Sequence, residues 1–135
     1  MIVGFTCGAF DYCHAGHVLS MAQAKERCDY LIVGLQTDPS VDRAEKTKPE
    51  QNMFERWTQL DAIKYIDKIM VYETEANLLD YLFANEKTID IRFLDEEYKD
   101  RDFTGKSQTD IEIYYVTRLN DYSSSNIRQT LRREK

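Results

Sequence analysis

The sequence predicts an α/β fold: an open parallel sheet of five strands with helices on both faces, built as one domain over residues 1–135. Two observations carry that prediction. Strand-like and helix-like patterns alternate along the chain, which calls for right-handed crossovers between parallel strands. The run Asp29-Tyr-Leu-Ile-Val-Gly-Leu35 is nearly continuously apolar, as expected of a central strand covered on both sides. At 42% hydrophobic and 12% aromatic residues the chain can fill one core, and no internal repeat or interdomain linker divides it.

In chain order, Ile2 to Cys7 reads as the first strand, followed by a glycine-bearing turn and a helix from Gly16 to Arg27. Asp29 to Leu35 is the second strand. Thr37 to Asn52 is polar and holds both prolines, so it reads as a long functional loop. Met53 to Ile66 has helical spacing, with Trp57 expected in the core. Asp67 to Tyr72 is the third strand, Ala76 to Asn85 the next helix, Ile89 to Leu94 the fourth strand, and Asp95 to Ser107 an acidic loop. Ile111 to Val116 is the fifth strand, and a last helix starts near Ser123 to Ser125, whose hydroxyls are natural N-caps.

A net charge of −6 argues against a nucleic-acid or membrane-surface partner, since both require a dominant cationic face. No run approaches the roughly 20 apolar residues of a membrane span, and no secretion signal is recognisable. The three cysteines, Cys7, Cys13 and Cys28, form an odd set without such a signal, so reduced thiols and a cytoplasmic location are expected.

Open parallel sheets bind ligands at the carboxyl ends of their strands. This rule brings together the turn after the first strand, the loop after the second and the loop after the fifth. In the first turn, Gly8 and Gly16 allow close backbone approach, and His14 and His17 stand three apart at a helix start. Backbone N–H groups and the helix dipole favour a phosphate there, and imidazole donors can stabilise charge that grows during phosphoryl transfer. In the second loop Arg43, Lys46 and Lys48 place three cations near the rim that could meet a phosphate, and of these Arg43 reads as solvated. In the third, Arg118 and the serines at 123–125 offer a second helix start to the same rim.

Gly8-x-Phe10-Asp11-x-x-His14-x-Gly16-His17 resembles the signature of the HxGH nucleotidyltransferases, and specifically of the cytidylyltransferases. Chain length, strand order and Arg118 with Ser123-Ser-Ser-x-Ile127 resemble the bacterial glycerol-3-phosphate members. The resemblance implies a Rossmann-like nucleotidyltransferase fold and transfer of CMP from CTP to a small phosphorylated alcohol, sn-glycerol 3-phosphate. Mg²⁺ is implied on the nucleotide phosphates, as is a homodimer.

It further implies that His14, His17 and Lys46 are catalytic. The nucleotide would be held by Gly8, Ala9, Phe10, Asp11, His14, Gly16, His17, Lys46, Arg118, Ser123, Ser124, Ser125 and Arg128. Acceptor contacts would fall on Arg56, Lys64 and Glu97. Four places depart from the family pattern: Ala9 stands where threonine is usual, Lys64 where arginine is usual, and Asp95-Glu-Glu-Tyr98 in place of glycine, two aspartates and tryptophan. Leu119 to Tyr122 replaces the usual Thr-Glu-Gly-Ile.

Three other readings stay open. The chain could be an adenylyltransferase of the same superfamily acting on a sugar phosphate. It could be a zinc module built on Cys7, Cys13, His14 and His17, or a nucleotide-binding protein without turnover.

Overall fold

The computed structural model describes residues 1–117; Arg118, the serines at 123–125, Arg128 and the expected last helix lie outside the described residues. The elements are β1 (Val3–Gly8), α1 (Ala15–Lys25), β2 (Tyr30–Gln36), α2 (Pro39–Asp42), α3 (Met53–Asp61), β3 (Lys68–Tyr72), α4 (Glu75–Ala84), β4 (Ile91–Asp95), a short 3₁₀ turn (Glu96–Tyr98) and β5 (Glu112–Val116). All strand pairings are parallel, and the spatial order is β3-β2-β1-β4-β5.

The chain therefore starts in the middle of the sheet, builds outward to β3, and crosses back to β4 on the other side of β1. That reversal leaves a crevice between the carboxyl ends of β1 and β4, where an open α/β sheet places its ligand. Two buried clusters sandwich the sheet. On one face Met21 and Ala24 of α1 and Leu60 of α3 pack with Leu31, Val33, Leu35 and Phe93. On the other, Leu78 and Leu82 of α4 pack with Val3, Phe5, Ile32 and Tyr72.

Each long helix begins on a reciprocal cap. Asn52 with Glu55 starts α3 and Thr74 with Asn77 starts α4, each pair exchanging side-chain and backbone bonds that satisfy otherwise unpaired N–H groups. The loop after β2 is more ordered than the sequence implies. Asp38 accepts from Ser40 N–H and Pro39 sits in the first turn of α2, a favourable start for even a four-residue helix.

Helix α3 differs from expectation on two counts. It ends at Asp61 rather than Ile66, and its buried positions are Arg56 and Leu60, one turn apart. Trp57 lies off that stripe and is 40% exposed, so it is not a core residue.

Candidate active site

Helix α1 opens on a capping box made of the two histidines. His14 is the N-cap, and its Nδ1 accepts from Gly16 N–H at 3.0 Å; His17 sits at the third helical position, and its Nδ1 accepts from His14 N–H at 3.1 Å. A ring nitrogen that accepts cannot carry the proton, so both imidazoles are protonated on Nε2. The pair thus presents two N–H donors at the positive end of a helix whose first turn contains no acid.

The rings lie with centroids 4.1 Å apart, and the edge of Phe10 meets His17 at 5.6 Å. Burial, followed by the proximity of His14, lowers the pKa of His17 to about 4. At neutral pH His17 is therefore an uncharged donor. Gly16 explains its own place in the motif, because a Cβ there would stand 2.7 Å from Cε1 of His14. Only glycine lets the His14 ring fold back over the helix start.

The turn leading into α1 is held in an unusual shape. Phe10 and Tyr12 have φ of 50° and 49°, a region costly for side-chain-bearing residues. Asp11, between them, accepts from the N–H groups of Glu50 and Gln51 at 3.0 and 2.9 Å, and these bonds lower its pKa. Tyr12 adds a bond from its N–H to Gln51 Oε1 at 2.7 Å. The carboxylate of Asp11 is thus engaged in stitching the turn to the segment before α3.

Arg56 supports the same turn from below. It is 3% exposed and donates to the carbonyls of Gln51, Ala9, Gln36 and Thr37. These contacts differ from the acceptor role expected of this residue: its buried guanidinium is taken up by backbone carbonyls, and it acts as a clamp tying the ends of β1 and β2 together.

A cavity of about 430 Å³ opens at the crevice, a size suited to a small-molecule ligand. Gly8, Ala9, Phe10, His17 and Lys46, all expected at the site, line it. His14 is exposed beside it, its ring tilted against that of His17. Two expected acceptor residues do not belong to its wall. Lys64 is exposed in the turn before β3, three residues ahead of Asp67, whose carboxylate accepts from Leu31 N–H near the start of β2. That is the opposite edge of the sheet, because α3 runs away from the crevice. Glu97 is exposed in the 3₁₀ turn, while its neighbours Asp95 and Tyr98 reach the cavity.

Several lining residues were not anticipated. Arg43, read as solvated, pairs with Glu75 at 2.8 Å and faces the cavity. Tyr72, Gln36 and Arg92 line its other side. Their only sequence signal is a polar group inside an apolar strand, clearest for Arg92 between Ile91 and Phe93.

Among the described residues no three His, Cys, Asp or Glu side chains gather as a metal site, so Cys7, Cys13, His14 and His17 do not form the zinc module. Among them, too, no helix is long and apolar enough to cross a membrane.

Known proteins share parts of this sequence and its fold. The bifunctional protein HldE of Caulobacter sp. (strain K31) is 46% identical over 77 residues, which are 56% of this chain and 16% of that protein. The chain thus matches only a small part of the length of these curated relatives. Among solved structures, the lipopolysaccharide core biosynthesis protein of Thermoplasma volcanium GSS1 superposes with a TM-score of 0.71 at 20% identity, covering 89% of this chain and 99% of that one. Thermotoga maritima TmcAL bound with alpha-thio ATP gives 0.63 at 11% identity, covering 99% and 50%. The family model described as cytidylyltransferase-like matches residues 5–130. By that match, the chain belongs to the cytidylyltransferase-like family of nucleotidyltransferases.

Proposed function

We propose that this protein transfers a nucleoside monophosphate from ATP to a small phosphorylated acceptor, a sugar phosphate, with release of pyrophosphate. The observation that carries the reaction class is the His14–His17 pair, two Nε2–H donors at the start of α1 beside a cavity at the strand crossover. An acceptor phosphate oxygen attacks the α-phosphorus, the bond to pyrophosphate breaks in line, and no covalent protein intermediate is needed. The two histidines bond the oxygens that gain charge, and Lys46 meets the outer phosphates.

The choice of ATP and a sugar phosphate over CTP and glycerol 3-phosphate has two supports. Curated relatives of the chain include HldE proteins, and a solved neighbour of the same fold is bound with an ATP analogue. The cavity wall beyond the histidines carries Gln36, Tyr72, Arg43 and Glu75, groups suited to the hydroxyls of a sugar. Mg²⁺ would ride on the triphosphate, a common arrangement for this ion. Homodimerisation and a cytoplasmic setting remain part of the reading, carried by the family resemblance and the reduced cysteines.

The test is pyrophosphate release with ATP or CTP against a panel of sugar phosphates and glycerol 3-phosphate, with Mg²⁺ present. Release with ATP and a sugar phosphate is expected. Turnover confined to CTP would reverse the donor assignment, and no release with any pair would remove the reaction.

A further inference from the structure

The cavity straddles the carboxyl edge of the sheet. On the α1 side its wall includes His17 and Met21; on the α4 side it includes Cys7, Tyr72, Arg92 and Thr104. Arg92 stands out on that second side. It sits in β4 between Ile91 and Phe93, in register with Phe5 of β1, and is 3% exposed.

The bonds of Arg92 do not account for its charge. Nη1 donates to the carbonyl of Thr104, Nη2 lies 3.9 Å from the sulfur of Cys7, and Nε is buried without a partner. The guanidinium stands 5.1 Å from the centre of the Phe103 ring. Among the described residues the ion pairs are Lys25–Asp67 and Arg43–Glu75, and no carboxylate meets Arg92. A guanidinium keeps its charge when buried, so burying one without a carboxylate beside it is costly. A loop prop would not need that charge, since one carbonyl can be met by a neutral amide. The loop is nevertheless shaped around this side chain: Gly105 has φ of 88°, and a Cβ there would come within 2.9 Å of Nη1.

We propose that Arg92 is the anion anchor of the acceptor, binding its phosphoryl group on the α4 side of the cavity while the histidines hold the nucleotide on the α1 side. Reaction then takes place across the end of β1, near Gly8. The assignment rests on the transferase reading of the site, and it makes Arg92 a specificity-determining residue for phosphorylated acceptors. Tyr72, hydrogen-bonded to Cys7 and held protonated by burial, supplies a neutral hydroxyl beside it.

The test compares wild type with Arg92→Gln, which keeps a donor for Thr104 without charge, and Arg92→Lys, which keeps charge without the fork. The acceptor KM should rise at least about tenfold in Arg92→Gln and less in Arg92→Lys, as expected for loss of a charge-assisted bond, while the ATP KM stays within about twofold. An unchanged acceptor KM, or an equal rise for ATP, overturns the proposal.

Calorimetry keeps the test independent of turnover. Inorganic phosphate is titrated into protein saturated with α,β-methylene ATP, and Arg92→Gln should weaken its binding by a similar factor. If wild type shows no turnover, the transferase reading fails, and the phosphate titration alone decides for or against Arg92 as an anion site. If Arg92→Gln does not fold, the Arg92→Lys values decide: weakened phosphate binding supports the anchor, and wild-type binding overturns it.

Discussion

The main-chain N–H of His14 donates to Nδ1 of His17 at 3.1 Å, and this bond determines which nitrogen of His17 carries the proton. The same side chain thereby does two jobs: Nδ1 caps the helix, and Nε2–H is left as a donor at the cavity wall. Substitutions can separate the two. His17→Asn keeps an acceptor at the capping position and removes the donor. We expect it to melt within a few degrees of wild type while kcat for pyrophosphate release falls about 10²- to 10³-fold, the usual effect of deleting a donor to a developing oxyanion. Equal kcat would remove His17 from the chemistry.

Acid should destabilise the free protein through His17. Its pKa is about 4 in the folded state and near 6.5 when unfolded. Above pH 6.5 neither state is charged. As pH falls from 6.5 to 4 the unfolded chain takes up a proton that the folded one refuses, so stability declines through that window and the loss is complete below 4. A bound triphosphate opposes this by favouring the cation. By NMR, the ring signals of His17 should titrate near pH 4 in the free protein and at least about one unit higher with a nucleotide bound. A free-protein midpoint near 6.5 would contradict the burial seen here.

Arg56 predicts a loss of stability rather than of substrate affinity. Its guanidinium satisfies four backbone carbonyls at the ends of β1 and β2 and before α3. Arg56→Met removes those donors and leaves the carbonyls unpaired, which should cost about 3 kcal/mol in urea unfolding. If the residue touched the acceptor instead, unfolding would be nearly unchanged and the acceptor KM would rise.

The contrast between Arg56 and His17 shows what could be read without coordinates. The strands were legible to within a residue or two because apolar runs report burial directly, and the histidine turn was legible because its glycines and imidazoles lie within ten residues of one another. The partners of Arg56 lie 47 residues away at Ala9 and 20 away at Gln36, so nothing local marks it as buried. Arg43 reads as solvated and Arg92 passes unnoticed for the same reason: a charged residue in a loop or strand looks alike whether it faces water or a cavity. Lys64 was misplaced because matching a family position says nothing about which edge of the sheet a turn occupies.

Gly16 offers the clearest separation of folding from chemistry. Alanine is the better helix former by about 1 kcal/mol, and position 16 lies in the first turn of α1, so Gly16→Ala should not weaken the helix on propensity alone. Its Cβ, however, would fall 2.7 Å from Cε1 and 3.0 Å from Nδ1 of His14, closer than any unstrained contact. The ring must swing away, breaking its bond to the residue-16 N–H and its ring contact with His17. We therefore expect Gly16→Ala to keep its far-UV circular dichroism and cooperative unfolding while losing at least about tenfold in kcat, the loss arising from displacement of one donor. Measuring both on one preparation decides the point, since intact turnover in Gly16→Ala would mean that the His14 ring does not need the position it holds.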